Sequence, residues 1–382
     1  MDPVKQGDLQ QIIHGGSRRR ALFELCRPSP SGGEARRGSG TERIWRRVFA
    51  SAVAFLPLSW PRRLRRLAGW LDIQSDPGLV ALKAKVGEHL VSHSQKKDTP
   101  RYSARLLIGC ADRAGIVAAV SSFLFERGAN IVSSHQYSSD PSGGRFFMRT
   151  EFFVGDGIGH ERLGREFVEE VAARFEMDWR LRWWGERQRV AILVSRQDHC
   201  LLDLLWRWRR GELDAEIVAV ISNHRDLEQE AIAAGMAFYH VPVEQGEKEQ
   251  SEVALLELLS CNADLLVLAR YMQILSGDFL ERVGMPAINI HQSFLPAFAG
   301  ADPYRRARER GVKLIGATAH YVTEQLDDGP IIDQDVVRVD HRQSAQELER
   351  VGRDVERLVL ARAVSLHLDD RVIVDGRRTV VF

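Results

Sequence analysis

A chain of 382 residues exceeds what one ordinary hydrophobic core covers, so two or three units are expected. Its 44% hydrophobic and 27% charged residues, with a formal net charge of +1, are those of a soluble globular protein and exclude the strong basic excess of a nucleic-acid binder. The cysteines at 26, 110, 200 and 261 form no C-x-x-C pair and the histidines do not cluster at metal-ligand spacing, so neither a disulfide framework nor a metal site is indicated, and a cytoplasmic location fits.

Residues 1–100 form a basic extension in which Arg18, Arg19, Arg20, Arg36, Arg37, Arg46, Arg47, Arg62, Arg63, Arg65 and Arg66 far outnumber acids. A Gly/Ser/Arg-rich run over 29–40 and the lack of a sustained pattern before Trp45 predict a largely disordered or irregular segment. Asp2, Asp8, Glu24 and Glu34 argue against a transit peptide, leaving a dispensable extension or a true start further downstream. The longest apolar run, 48–60, is broken by Pro57 and is shorter than the roughly 18 residues a membrane span needs, so no membrane partner is expected.

From residue 101 to 185 the pattern reads strand 104–109, helix 115–127, strand 130–137, a turn at Asp140-Pro141-Ser142-Gly143-Gly144, strand 145–154, helix 160–175 and strand 179–184. That order is a ferredoxin-like βαββαβ sandwich. In its first turn, Asp112 is placed to cap the helix, and Gly115, followed by Ile116, allows a ligand to approach closely.

Residues 189–382 alternate strand and helix, with strands at 190–195, 217–222, 237–241, 265–269 and 287–290 that are largely apolar on both faces. Such strands form a doubly wound, mainly parallel, Rossmann-like α/β sheet, whose ligands bind beyond the C-terminal strand ends. Chemistry is therefore expected after Ala269 and Ile290.

Asn289 and His291 lie two apart on one strand, so they point to the same side. A second strand through His320 leads into a turn that presents Asp327. An amide donor, an imidazole and a carboxylate are what the addition of water or an amine to an acyl carbon requires. Asn289 can donate to the oxyanion, His291 adds a second donor when protonated, and Asp327 partners it and serves as base or positions the water.

Asn289-Ile290-His291, Ser293-Phe294-Leu295-Pro296 and Leu326-Asp327-Asp328-Gly329-Pro330 resemble the signature of folate-dependent formyltransferases. The longer wording, with residues 293–301, 308–321 and 352–356, is similar to the formyltetrahydrofolate deformylases, and this resemblance covers about 101–382. It implies hydrolysis of 10-formyltetrahydrofolate to formate and tetrahydrofolate, which supplies formate for purine synthesis and balances one-carbon pools. It further implies no cofactor, Asn289, His291 and Asp327 as catalytic trio, His320 behind them, and a folate pocket at Arg270, Tyr271, Met272, Gln273, Ile274 and Leu275. Gln273 and Gln292 depart from the residues usual in that pattern.

The 101–185 sandwich resembles an ACT domain, although Ala114 replaces the usual proline. This resemblance implies a homo-oligomer and an amino-acid effector, methionine or glycine, near Asp112, Gly115 and Ile116. The loop 195–200 lacks the glycine-rich phosphate cradle of ribonucleotide formyltransferases, which favours water as acceptor. An amine-formylating transferase and a catalytically silent folate or amino-acid sensor are the competing readings.

Overall fold

The computed structural model describes residues 103–155, 159–244, 246–260, 262–296 and 303–382, and the expectations for 1–100 lie outside them. Strands β1 (Ser103–Ala111), β2 (Asn130–Ser138), β3 (Arg145–Phe153) and β4 (Asp178–Trp183) form an antiparallel sheet in the order β2-β3-β1-β4. One face is covered by helix α1 (Ile116–Glu126) and by α2 (His160–Phe167), which runs on through a π turn to Phe175. Period-2 alternation sorts the sheet: Leu106, Ile108, Cys110, Phe146, Met148 and Phe152 pack on the helices. The opposite face carries Arg105, Arg149, Arg180 and Arg182, which the strand registers bring around Leu107.

The expected cap of α1 is corrected. Gly115, at φ +95°, is the N-cap residue and no side chain caps the helix, while the Asp112 carboxylate accepts from Ser138 Oγ. A left-handed backbone at that position favours glycine and turns the chain into the helix without a side-chain cap.

The second layer system has seven strands in the order β11-β10-β9-β8-β5-β6-β7. β5 (Gln188–Val194), β6 (Ala215–Ser222), β7 (Phe238–His240), β8 (Leu265–Leu268) and β9 (Ala287–His291) are parallel. β10 (Leu314–Tyr321) and β11 (Ile331–Arg338) extend the sheet antiparallel. Between them run α3 (His199–Arg209), α4 (Glu228–Ala233), α5 (Lys248–Leu259), α6 (Gly277–Val283) and α7 (Pro303–Glu309). Ile192, Val194 and Val267 face one core and Ala191, Leu193 and Leu266 the other, as strands buried on both faces require. The chain winds outward from β5 in both directions, so the β5/β8 boundary is the topological switch point.

Helix α8 (Ala345–Leu368, 24 residues) is the longest element. Ser344 and Glu347 close its N-terminus as a reciprocal capping box, which satisfies donors that have no intrahelical acceptor. Its buried stripe includes Leu348, Val355, Val359, Leu360 and Val364, at helical spacing. A terminal hairpin, β12 (Val372–Asp375) and β13 (Arg378–Val381), follows. All described residues fall within one compact unit, and none of their helices is long and apolar enough to cross a membrane.

Candidate active site

Asn289 and His291 lie on the same side of β9, while Ile288 and Ile290 point into the opposite core. β10 runs antiparallel beside β9 and pairs His320 with Asn289 and Thr318 with His291. On the other edge of β10 the pairing with β11 shifts register between Ala319 and His320. Such a bulge re-aims a side chain, here the His320 imidazole.

Four polar groups converge there. His291 Nδ1 lies 3.2 Å from Asp327 Oδ2, His320 Nε2 lies 3.7 Å from Asp327 Oδ1, and Asn289 Nδ2 lies 3.3 Å from His320 Nε2. His320 Nδ1 donates to the Tyr321 carbonyl at 2.9 Å, which leaves Nε2 facing the cluster. Burial alone would raise the Asp327 pKa, but the hydrogen bond from His291 and the His320 imidazole close by outweigh it and hold the carboxyl well below the usual carboxylate range. His291 Nε2 is buried without a hydrogen-bond partner. Since Nδ1 is committed to Asp327, Nε2 is the atom this imidazole offers to a ligand.

The loop that delivers Asp327 is held tightly. Asp327 itself sits at φ +55°, a conformation uncommon for a side-chain-bearing residue and typical of functional sites. Pro330 O accepts from Tyr321 N–H at 2.9 Å, and a Cβ on Gly329 would come within 1.7 Å of Tyr321 O, so only glycine fits. Arg377 from the terminal hairpin grips both oxygens of Asp328 at 2.6 Å.

The segment 270–275 divides by side-chain direction. Met272 and Ile274 are exposed and Gln273 is half-buried, whereas Tyr271 and Leu275 pack into the core beneath. Arg270, at φ +64°, turns inward: Nε bonds Gln197 Oε1 at 2.8 Å, Nη2 bonds Gln292 Oε1 at 2.7 Å, and Nε lies 3.4 Å from Glu356 Oε2. Glu356, buried on α8, also bonds His199 Nε2 at 2.9 Å and the Tyr304 hydroxyl at 2.6 Å. Burial opposes its charge, but His199 and Arg270 more than compensate and its pKa falls below the usual value.

Glu356 was visible in the sequence, yet nothing there indicated its role. The available signal was an acid placed within the apolar stripe of a helix. His199, Cys200 and Glu356 are, among the described residues, the group that could hold a metal ion. They fit one poorly, because Arg270, His199 and Tyr304 already engage the carboxylate and burial pushes the Cys200 thiol well up.

In the loop after β5, Ser195 Oγ donates to Asn223 Oδ1 at 2.7 Å and accepts from Met272 N–H at 3.1 Å. With Gln197 and His199 also turned inward, the polar side chains of this loop are largely committed within the protein.

Residues 188–364 match the formyl transferase family and residues 104–158 the ACT domain family. The chain is 57% identical over 279 residues to formyltetrahydrofolate deformylase of Mycobacterium tuberculosis, covering 73% of this chain and 90% of that one. It is 51% identical over 288 residues to the Bacillus subtilis enzyme of the same name, covering 75% and 96%. Among solved structures, the deformylase of Pseudomonas syringae aligns with a TM-score of 0.71 at 45% identity, covering 79% of this chain and 99% of that one. By these matches the chain belongs to the formyltetrahydrofolate deformylase family.

Proposed function

We propose that this chain hydrolyses 10-formyltetrahydrofolate to formate and tetrahydrofolate, with Asn289, His291 and Asp327 acting together and His320 supporting them. The observation that carries this reading is the unpartnered His291 Nε2, held beside Asp327 and on the same strand face as Asn289. Water adds to the formyl carbon, and the C–O bond forms as the oxyanion accepts hydrogen bonds from Asn289 Nδ2 and His291 Nε2. The C–N10 bond then breaks: one proton of the water, made acidic as the C–O bond forms, passes by way of the Asp327 carboxylate to N10, and the other leaves to solvent as formate departs. A carboxyl as acidic as Asp327 is a weak base in the resting state, so it first orients the water and the imidazoles and takes the proton only as the C–O bond forms. On this reading the amide and the imidazole supply the donors and the carboxylate the acceptor that the reaction needs, and no cofactor is called for.

In this reading Met272 and Ile274, both exposed, pack on the pterin. Tyr271, Gln273 and Leu275 shape the same loop, and Arg270 braces it from beneath. The inward commitment of the loop after β5 supports water, rather than a phosphorylated amine, as acceptor. In this reading the formate serves purine synthesis and one-carbon balance in the cytoplasm.

An amino-acid effector such as methionine or glycine would meet the backbone around Asp112 and Gly115, since the Ile116 side chain lies in the core. The exposed apolar residues of edge strand β2, Val132 at 67% and Tyr137 at 49%, support pairing between copies of the chain.

Purified protein given 10-formyltetrahydrofolate in ¹⁸O-enriched buffer, with no amine acceptor, is expected to yield one ¹⁸O-labelled formate per tetrahydrofolate. Folate binding without formate would favour the transferase or the silent sensor. Gly329→Ala is expected to lower kcat about ten- to a hundredfold with little change in KM, because it displaces the Asp327 loop rather than the folate segment. Steady-state formate release measures this; an unaltered kcat would show that the loop tolerates the shift.

A further inference from the structure

The four arginines on the open face of the β2-β3-β1-β4 sheet repel one another unless a counter-charge reaches them. That charge comes from the C-terminal end of α8. Asp370, fully buried and at φ +52°, lies 3.4 Å from Arg105, 3.2 Å from Arg180 and 3.2 Å from Arg182. Arg149 donates to the carbonyls of Asp370 at 2.9 Å and Asp369 at 3.1 Å, and Arg105 donates to that of Leu368 at 3.3 Å. The ACT sheet thus caps the negative end of the α8 dipole as well as a carboxylate.

His367, one turn earlier, connects this clamp to the site. Its Nδ1 accepts from the Tyr321 hydroxyl at 2.8 Å, and its Nε2 lies 3.3 Å from Gln188 Oε1. Burial first, and then the charges of Arg180 and Arg182, push its pKa well below the ordinary value, which keeps the ring neutral and Nδ1 an acceptor. Tyr321 in turn holds two parts of the catalytic cluster through its backbone. Its carbonyl fixes His320 Nδ1, and its N–H fixes Pro330 at the end of the Asp327 loop.

We propose that Tyr321 and His367 are positioning residues for deformylation, and that docking of the ACT sheet on Asp370 sets their geometry and thereby kcat. This rests on the reading that His320 and Asp327 belong to the reacting cluster. It gives the ACT domain a physical route to the chemistry: a change in the arginine face moves the end of α8, His367 follows, and the Tyr321 strand carries the shift to His320.

The experiment is a double-mutant cycle on the full chain with Tyr321→Phe and Asp370→Asn, reading kcat and KM separately. Each single change is expected to lower kcat about tenfold with KM within about twofold, and the double variant to be no slower than the slower single, because both act along one route. Asp375→Asn, which removes a carboxylate 3.1 Å from Arg145 in the same interface, is expected to leave kcat unchanged. If Asp370→Asn does not fold, Arg180→Gln takes its place in the cycle with the same outcomes. Normal kcat in Tyr321→Phe, or losses that multiply in the double variant, would overturn the proposal. Asp327→Asn run alongside separates the two levels: inactivity there with full activity in Tyr321→Phe removes the coupling alone, whereas full activity in Asp327→Asn removes the underlying reading.

Discussion

Asp327→Asn is expected to reduce formate release about 10²- to 10⁴-fold while 10-formyltetrahydrofolate still binds within a few-fold of its normal affinity. The substitution removes the charge and almost nothing else. Asparagine matches aspartate in size, and it is among the few residues that accept a positive φ, so the φ +55° that Asp327 adopts survives the change. The oxygens facing His291 at 3.2 Å and His320 at 3.7 Å are replaced by one oxygen and one amide, and neither imidazole retains an anionic partner.

Binding is expected to be spared because Met272 and Ile274, the proposed folate contacts, belong to a different loop. Single-turnover formate release and equilibrium binding of a non-hydrolysable formyl-folate analogue together check this. Near-normal turnover would sink the assigned role.

The lowered pKa adds a pH arm to the same experiment. A depressed carboxyl pKa contributes stability that is present above the unfolded-state value of about 4 and is lost as pH falls through the folded-state value. Asp327 stays ionised across pH 5 to 8, so this group imposes no loss of activity there. This contribution to the thermal-midpoint difference between the parent and Asp327→Asn is expected to be full at neutral pH and to shrink below about pH 4. A difference unchanged down to pH 2.5 would contradict the lowered pKa.

The sequence made the parallel strands legible because they are buried on both faces, and the βαββαβ order legible because its periods change cleanly from 2 to 3.6. It left α8 unassigned. The apolar stripe of that helix is interrupted by Gly352, Glu356 and His367; Glu356 and His367 bond residues far away in the chain, and Tyr304 fills the space a Cβ on Gly352 would need. That Asn289, His291 and Asp327 converge was legible because strand periodicity and turn chemistry are local. The bulge that aims His320 was not, since it arises from pairing with β11. Nor could a linear reading show that Arg270 turns inward, which depends on a positive φ that few residues other than glycine adopt. The arginines at 180 and 182 share one strand face, but Asp370, nearly two hundred positions after 182, was not legible as their partner.

Asn289→Ala is expected to lower kcat about 10²- to 10³-fold, with KM nearly unchanged. His320 donates through Nδ1 to Tyr321 O, and the Asn289 amide, 3.3 Å from His320 Nε2, keeps a hydrogen for the formyl oxygen. That hydrogen gains most as negative charge develops on the oxygen, so its loss falls on the transition state rather than on substrate binding. Asn289→Asp keeps the shape but replaces a donor with an anion beside Asp327, and it should be at least as slow as the alanine variant. An alanine variant with unchanged kcat and a raised KM would instead make Asn289 a ground-state binding group. Faster turnover in Asn289→Asp than in Asn289→Ala would mean that the site tolerates an acceptor at this position, and the oxyanion role would then fall to His291 alone.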